Sequence, residues 1–152
     1  MYEKLSKLTN EQINTLRTLQ QNVPMTDKHI RLGINGQDNI SVYNYSKWST
    51  WNRIQKAQFK SIFLQDHIDK SVVGWFLNLP ANTGFLDKMI AWQGQNNCGT
   101  VISYALENQT IYINDAPVAI EAGEGIKFKL NVTHEIKTDT QERNWACVMI
   151  MI

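Results

Sequence analysis

The chain is poor in cysteine, proline, histidine and net charge, and each shortage excludes something. Two cysteines, Cys98 and Cys147, stand far apart without a Cys-x-x-Cys pair. A thiolate zinc site cannot be built from them alone. Cys147 falls in an apolar run and reads as a small buried hydrophobe. The 15 basic and 14 acidic side chains leave a net charge of +1 with no basic cluster. Bulk electrostatics therefore give no reason to expect nucleic acid or an anionic membrane as partner. No apolar run approaches membrane-spanning length. The opening MYEKLSKLTNEQ lacks the apolar core of a secretory signal, so a cytoplasmic location is expected and the sequons at Asn108 and Asn131 are incidental. There is no Ser-His-Asp ordering, no phosphate loop and no catalytic carboxylate pair, which sets aside hydrolase and nucleotide-binding readings.

What is present is a core. Hydrophobic residues make up 43% and aromatic residues 10% of the chain, enough for a globular protein. A length of 152 residues fits one domain, 1–152. Its first part, 1–65, reads as helical and mixed, and its second, 70–152, as β.

Thr9-Asn10-Glu11-Gln12 has the form of a capping box, and Ile13, Leu16 and Leu19 follow at helical spacing. The spacing predicts a helix of about three turns ending before Pro24. Ile30, Leu32 and Ile34 alternate ahead of Asn35-Gly36, and Ile40 and Val42 follow, which suggests a short hairpin. Ser46 is placed to cap a second helix, along which Trp48, Trp51, Ile54, Phe59 and Ile62 form one apolar stripe. The two tryptophans read as core packed against a sheet.

From Val72 the pattern becomes extended. Strands are expected at 72–79, 88–93, 100–106, 109–114, 118–121, 125–130, 134–137 and 145–152, separated by turns rich in Gly, Asn and Pro. Ile126, Phe128 and Leu130 alternate with Lys127, Lys129 and Asn131, as in a half-buried strand. The near-continuous apolar run of Trp145–Ile152 predicts a strand buried on both faces. Gly123 and Gly125 flank Glu124 in a turn that calls for positive φ. Short strands at this spacing indicate a sandwich or barrel covered on one face by the two helices. Trp75 and Trp92 read as core or pocket lining. Tyr104 and Tyr112 could line the interior or face solvent. His29, near Lys28 and Arg31, reads as a surface histidine.

The run SYALENQTIYINDAPVAIEAGEGIKFKLNVTHEI, followed by Arg143, resembles the C-terminal half of a double-stranded β-helix, the jelly-roll barrel of cupins and Fe(II)/2-oxoglutarate oxygenases. It is most similar to the aspartyl/asparaginyl β-hydroxylase-like branch, and the resemblance covers about the last half of the chain. The implied architecture is mainly β, a double-stranded β-helix with two N-terminal helices packed on it. The resemblance makes His134 the distal metal histidine. It makes Arg143, nine positions later, the residue that binds the 2-oxoglutarate carboxylate. Such iron sites use two histidines and one carboxylate on one face of the metal. Arginine grips a carboxylate in a bidentate fork that lysine does not reproduce.

Two upstream registers supply the remaining ligands. The literal motif His67-Ile68-Asp69 stands 67 residues before His134 and gives the metal set His67, Asp69 and His134. Alternatively, Val73–Leu79, Pro80 and Thr83-Gly84-Phe85-Leu86-Asp87 resemble the strand and turn that precede the motif. The histidine position is then Phe85, and only Asp87 and His134 remain. The first register implies an Fe(II)/2-oxoglutarate-dependent oxygenase acting on a small molecule or a protein side chain. The second implies a non-catalytic cupin-like binding or assembly module without metal or cosubstrate. Arg143 has a plainer alternative, a surface pairing with Glu142 or Asp139. An apolar C-terminal strand at an open barrel edge is compatible with a homo-oligomer in either case.

Overall fold

The computed structural model describes residues 2–34, 37–63, 72–79, 85–89, 100–114, 116–129, 134–137 and 141–150. Eleven strands and two α-helices occur among them, in the order β1 (Tyr2–Leu5), α1 (Asn10–Asn22), β2 (Thr26–Ile34), β3 (Gln37–Tyr45), α2 (Arg53–Phe63), β4 (Val72–Leu79), β5 (Phe85–Met89), β6 (Thr100–Ala105), β7 (Gln109–Ile113), β8 (Ala116–Ile120), β9 (Gly125–Lys129), β10 (His134–Lys137) and β11 (Arg143–Ile150). The strands form two antiparallel sheets. One has seven strands in the order β1-β9-β6-β11-β4-β3-β2; the other has four, β5-β10-β7-β8. From β4 onward the chain passes back and forth between the two sheets, which is the winding of a double-stranded β-helix.

The sheets enclose the first core. Leu77, Leu79, Val101, Ala105, Ile126, Phe128, Trp145 and Cys147 of the larger sheet pack with Ile111, Ile113, Val118 and Ile120 of the smaller. The second core lies on the other face of the larger sheet. There Leu16, Leu19 and Val23 of the α1 segment, Trp51, and Phe59 of α2 cover Phe76, Ile102, Leu106, Ala146 and Val148. Its aromatic centre is tight: Trp51 stacks on Phe76 at 5.5 Å, and Phe59 meets Phe76 edge-on at 5.6 Å. Both tryptophans of the stripe are thus core, as expected, although Ile54 is exposed.

Local chemistry explains the helix boundaries. Thr9 Oγ1 accepts from Gln12 N, and Gln12 Oε1 accepts from Thr9 N, so α1 begins with the full capping box. The second helix begins later than expected. A 3₁₀ turn spans Trp48–Thr50, and Asn52 then caps α2 reciprocally with Gln55. Ser46 is not a cap: it is buried, and its Oγ accepts from Phe76 N at 2.7 Å.

The final strand is buried from Asn144 through Val148, on both faces, as its composition predicts. The hairpin of β2 and β3 pairs residue by residue from Thr26↔Tyr45 to Ile34↔Gln37. Strand β5, at Phe85–Met89, begins three residues before the expected 88–93, of which 90–93 lie outside the described residues. Strand β1 was not expected. It pairs with β9 at the sheet edge, from Tyr2↔Phe128 to Leu5↔Gly125. Of the two turn glycines, Gly123 has φ 87, the region glycine favours. Gly125 serves close approach instead, because a Cβ there would stand 2.6 Å from the Tyr104 ring. No described helix is long and apolar enough to cross a membrane.

Candidate functional site

His134 opens β10, a central strand of the smaller sheet. It pairs with Ile113 on one side and Met89 on the other. Ile136 is opposite Leu86, and Lys137 is opposite Phe85. Between these pairs β5 has two residues, Asp87 and Lys88, where β10 has only Glu135, so the ladder bulges. The fold therefore brings Asp87 and His134 onto neighbouring strands. Phe85 is opposite Lys137, three residues along β10 from His134, roughly 10 Å at an ordinary strand rise. His67 and Asp69 lie outside the described residues, as do Trp92 and Asp139.

Arg143 opens β11 and pairs with Leu79. It precedes Trp145 and Cys147 by two and four residues, and both of these face the core between the sheets. Alternation along the strand puts Arg143 on the same inward row, at its end. Its Nη1 donates to Gln141 Oε1 and to the Glu142 carbonyl, each at 3.1 Å. Behind it on that row, Cys147 accepts a hydrogen bond from Ser103 Oγ at 3.3 Å, and burial pushes its thiol up to about 12. A thiol held that high is a packing group at neutral pH, not a nucleophile. Tyr104 faces the helices, and burial raises its phenol above the usual value.

On the outward row, the sequence reading missed a line of amides. Asn44, Asn78 and Asn144 are paired across β3, β4 and β11. Asn44 Nδ2 donates to Asn78 Oδ1 at 2.9 Å, and Asn78 Nδ2 donates to Asn144 Oδ1 at 2.8 Å. Asn144 is buried, and its Nδ2 and backbone N–H both donate to the Glu107 carboxylate at 2.8 Å. Gln20 of α1 also donates to Asn144 Oδ1, tying the helix to the row. The available signal was a polar residue interrupting each of two apolar strands, VVGWFLNL and RNWACVMI.

Two interlocked sheets, with the helices on the outer face of the larger one, define a double-stranded β-helix. Solved structures show which barrels it is similar to. A 2OG-Fe(II) oxygenase family oxidoreductase from Burkholderia pseudomallei superposes with a TM-score of 0.68 at 10% identity, over 99% of this chain and 84% of that one. A Trichoplax adhaerens prolyl hydroxylase, in complex with a hypoxia inducible factor oxygen degradation domain peptide fragment, gives 0.70 at 12%, over 99% and 83%. HygX from Streptomyces hygroscopicus, with nickel, 2-oxoglutarate and hygromycin B bound, gives 0.66 at 8%, over 99% and 82%. At these identities the likeness is one of fold. No family model matches the chain, and no curated protein matches its sequence.

The resemblance read from the sequence implies iron, and the donor types can be set against that expectation. A facial iron site needs two imidazoles and a carboxylate. Strand β5 reads Phe85-Leu86-Asp87-Lys88-Met89 and contains no histidine. By residue type, the paired strands β5 and β10 contain Asp87 and His134 but only one histidine, and Glu135, adjacent to His134, belongs to the opposite row of the strand. Among the described residues of these two strands, the set is one imidazole short of a facial iron site. The other histidines are His29, on β2, and His67, which precedes β4.

Proposed function

We propose that this chain is a non-catalytic binding or assembly module built on an oxygenase-type barrel, a single domain over 1–152 that lacks a complete iron site. One observation carries the reading: the strand paired with that of His134 places Met89 opposite it and supplies no second imidazole. With a single imidazole, a facial iron site cannot be closed there. Arg143 remains on the inward row, where a guanidinium suits a ligand carboxylate.

A second reading has its own support. The likeness to 2-oxoglutarate oxygenases extends over 99% of the chain, and Arg143 follows His134 by nine positions on the inward row. In that reading His67, Asp69 and His134 hold Fe(II), Arg143 holds 2-oxoglutarate, and a protein side chain or small molecule is the substrate.

Anaerobic titration of metal-stripped protein with Fe(II), with and without 2-oxoglutarate, separates the two. The module reading expects no saturable visible charge-transfer band that depends on 2-oxoglutarate. A saturable band that disappears in both His134→Ala and His67→Ala would overturn it and establish the oxygenase. A stable assembly of several copies, measured by light scattering, would favour the assembly role over that of a monomeric binder.

A further inference from the structure

We propose that the amide row on the outer face of the larger sheet is the floor of a binding site for a neutral polyhydroxyl ligand of monosaccharide size. The site is an open pocket of about 360 Å³. Its floor is Asn44, Asn78 and Asn144; Arg17 and Gln20 of α1 form one wall, and Glu142 forms the other. A volume at the lower end of the usual ligand-pocket range suits a single sugar ring better than a folded peptide. The site is separate from the barrel interior: Asn144 faces the helices, and its neighbour Arg143 lies on the inward row.

The hydrogen-bond inventory selects the ligand chemistry. The floor's internal bonds consume donors: Asn78 Nδ2 donates to Glu142 and to Asn144, and Asn144 Nδ2 donates to Glu107. Among the described residues, Gln20 Oε1, Asn44 Oδ1 and Glu142 Oε2 accept no hydrogen bond. The pocket therefore presents these acceptors beside the second N–H groups of Asn44 Nδ2 and Gln20 Nε2 and the guanidinium of Arg17, a mixed set that suits a ligand able both to donate and to accept. Charge does not favour an anion. The Arg17 guanidinium stands 3.5 Å from Glu107, while Glu142 adds a carboxylate at the mouth. Neighbouring hydroxyls on a ring can each donate to a fixed oxygen without bringing a charge to be desolvated. Met25 at the rim offers an apolar surface for the C–H face of a ring. The floor is braced in advance by pairing between strands and by Gln20, so little ordering is needed on binding.

The test is saturation-transfer NMR on the full chain with D-glucose and myo-inositol, with L-arginine amide as a cationic comparator. The expected result is saturable transfer to a polyol at roughly millimolar affinity. Asn44→Ala and Glu142→Ala should each weaken it roughly tenfold. 2-Oxoglutarate should not displace the polyol. In the unaltered protein, the side-chain amide resonances of Asn78 and Asn144 should shift on titration, a readout that does not depend on how well either variant folds. The proposal is overturned by any of three outcomes: no transfer to either polyol, transfer without shifts at Asn78 and Asn144, or preferential saturation by the arginine amide.

Discussion

The two faces of β11 carry residues from one continuous stretch of chain into different surroundings. Inward, Trp145 and Cys147 fill the space between the sheets. Outward, Ala146 and Val148 are small, because Phe76, Trp51 and Phe59 already occupy the space beneath the helices. The polar residues at the start of the strand divide in the same way. Arg143 belongs to the inward row, and Asn144 joins the amide row outside. Composition shows that both faces are buried. It does not show which face encloses the barrel, and that decides whether a polar residue meets a barrel ligand or a helix.

The largest test of this contrast is Trp145→Ala. Trp145 is fully buried, and its indole Nε1 has no hydrogen-bond partner among the described residues, so the loss is one of packing. It should cost about 3–5 kcal/mol. On the other face, Ala146→Gly should cost no more than about 1 kcal/mol. Urea unfolding of both variants checks the difference. Equal losses would mean that the inward row does not carry the weight assigned to it.

Next comes the alkaline limb of stability. The Cys147 thiol is raised from 9.0 to about 12 in the folded protein. Well below pH 9 the thiol is protonated in both states. As pH rises above 9 the unfolded thiol loses its proton first, so the unfolded state gains and stability falls until the folded thiol also ionises near 12. The slope approaches about 1.4 kcal/mol per pH unit for one proton. Cys147→Ala should be less stable at pH 7 but show a shallower decline between pH 9 and 11. Parallel curves for the two proteins would remove Cys147 as the cause.

Local chemistry was legible in the sequence. Four residues, Thr9 to Gln12, were enough to place the start of α1, and alternation along Ile126 and Phe128 was enough for β9. Apolarity alone marked β11 as buried. Strand β1 was not legible, because Tyr2-Glu3-Lys4-Leu5 is short and mostly polar and is held by backbone pairing with β9. Ser46 looked like a helix cap because its type suits one. The sheet uses its hydroxyl for Phe76 N instead, and Asn52 takes the cap. The amide row was hidden for a related reason: Asn44, Asn78 and Asn144 become neighbours only once the order β3-β4-β11 is known. For the candidate iron site, the spacing of His134 and Arg143 could be read directly. The partner of His134 could not, because a one-residue bulge in β5 determines it.

That bulge allows the fit between barrel and metal to be tested by addition rather than removal. Met89 is directly opposite His134. Opposed residues of an antiparallel pair have Cβ atoms about 4.5–5.5 Å apart. Met89→His therefore adds an imidazole opposite His134, with Asp87 two residues away on the same strand. Co(II) serves as a spectroscopic stand-in for Fe(II), and its visible bands report on coordination geometry. Met89→His should bind Co(II) at least about tenfold more tightly than the unaltered chain, or about 1.4 kcal/mol. The double variant Met89→His, His134→Ala should return to the starting affinity, since removing either imidazole reopens the set. If Met89→His gains nothing because the unaltered chain already binds Co(II) tightly, and His67→Ala abolishes that binding, the second imidazole comes from the segment before β4. The chain would then be an oxygenase rather than a module. If neither protein binds, the β5–β10 register does not bring the two positions into reach of one ion, and the barrel has lost the geometry of the site as well as its ligand.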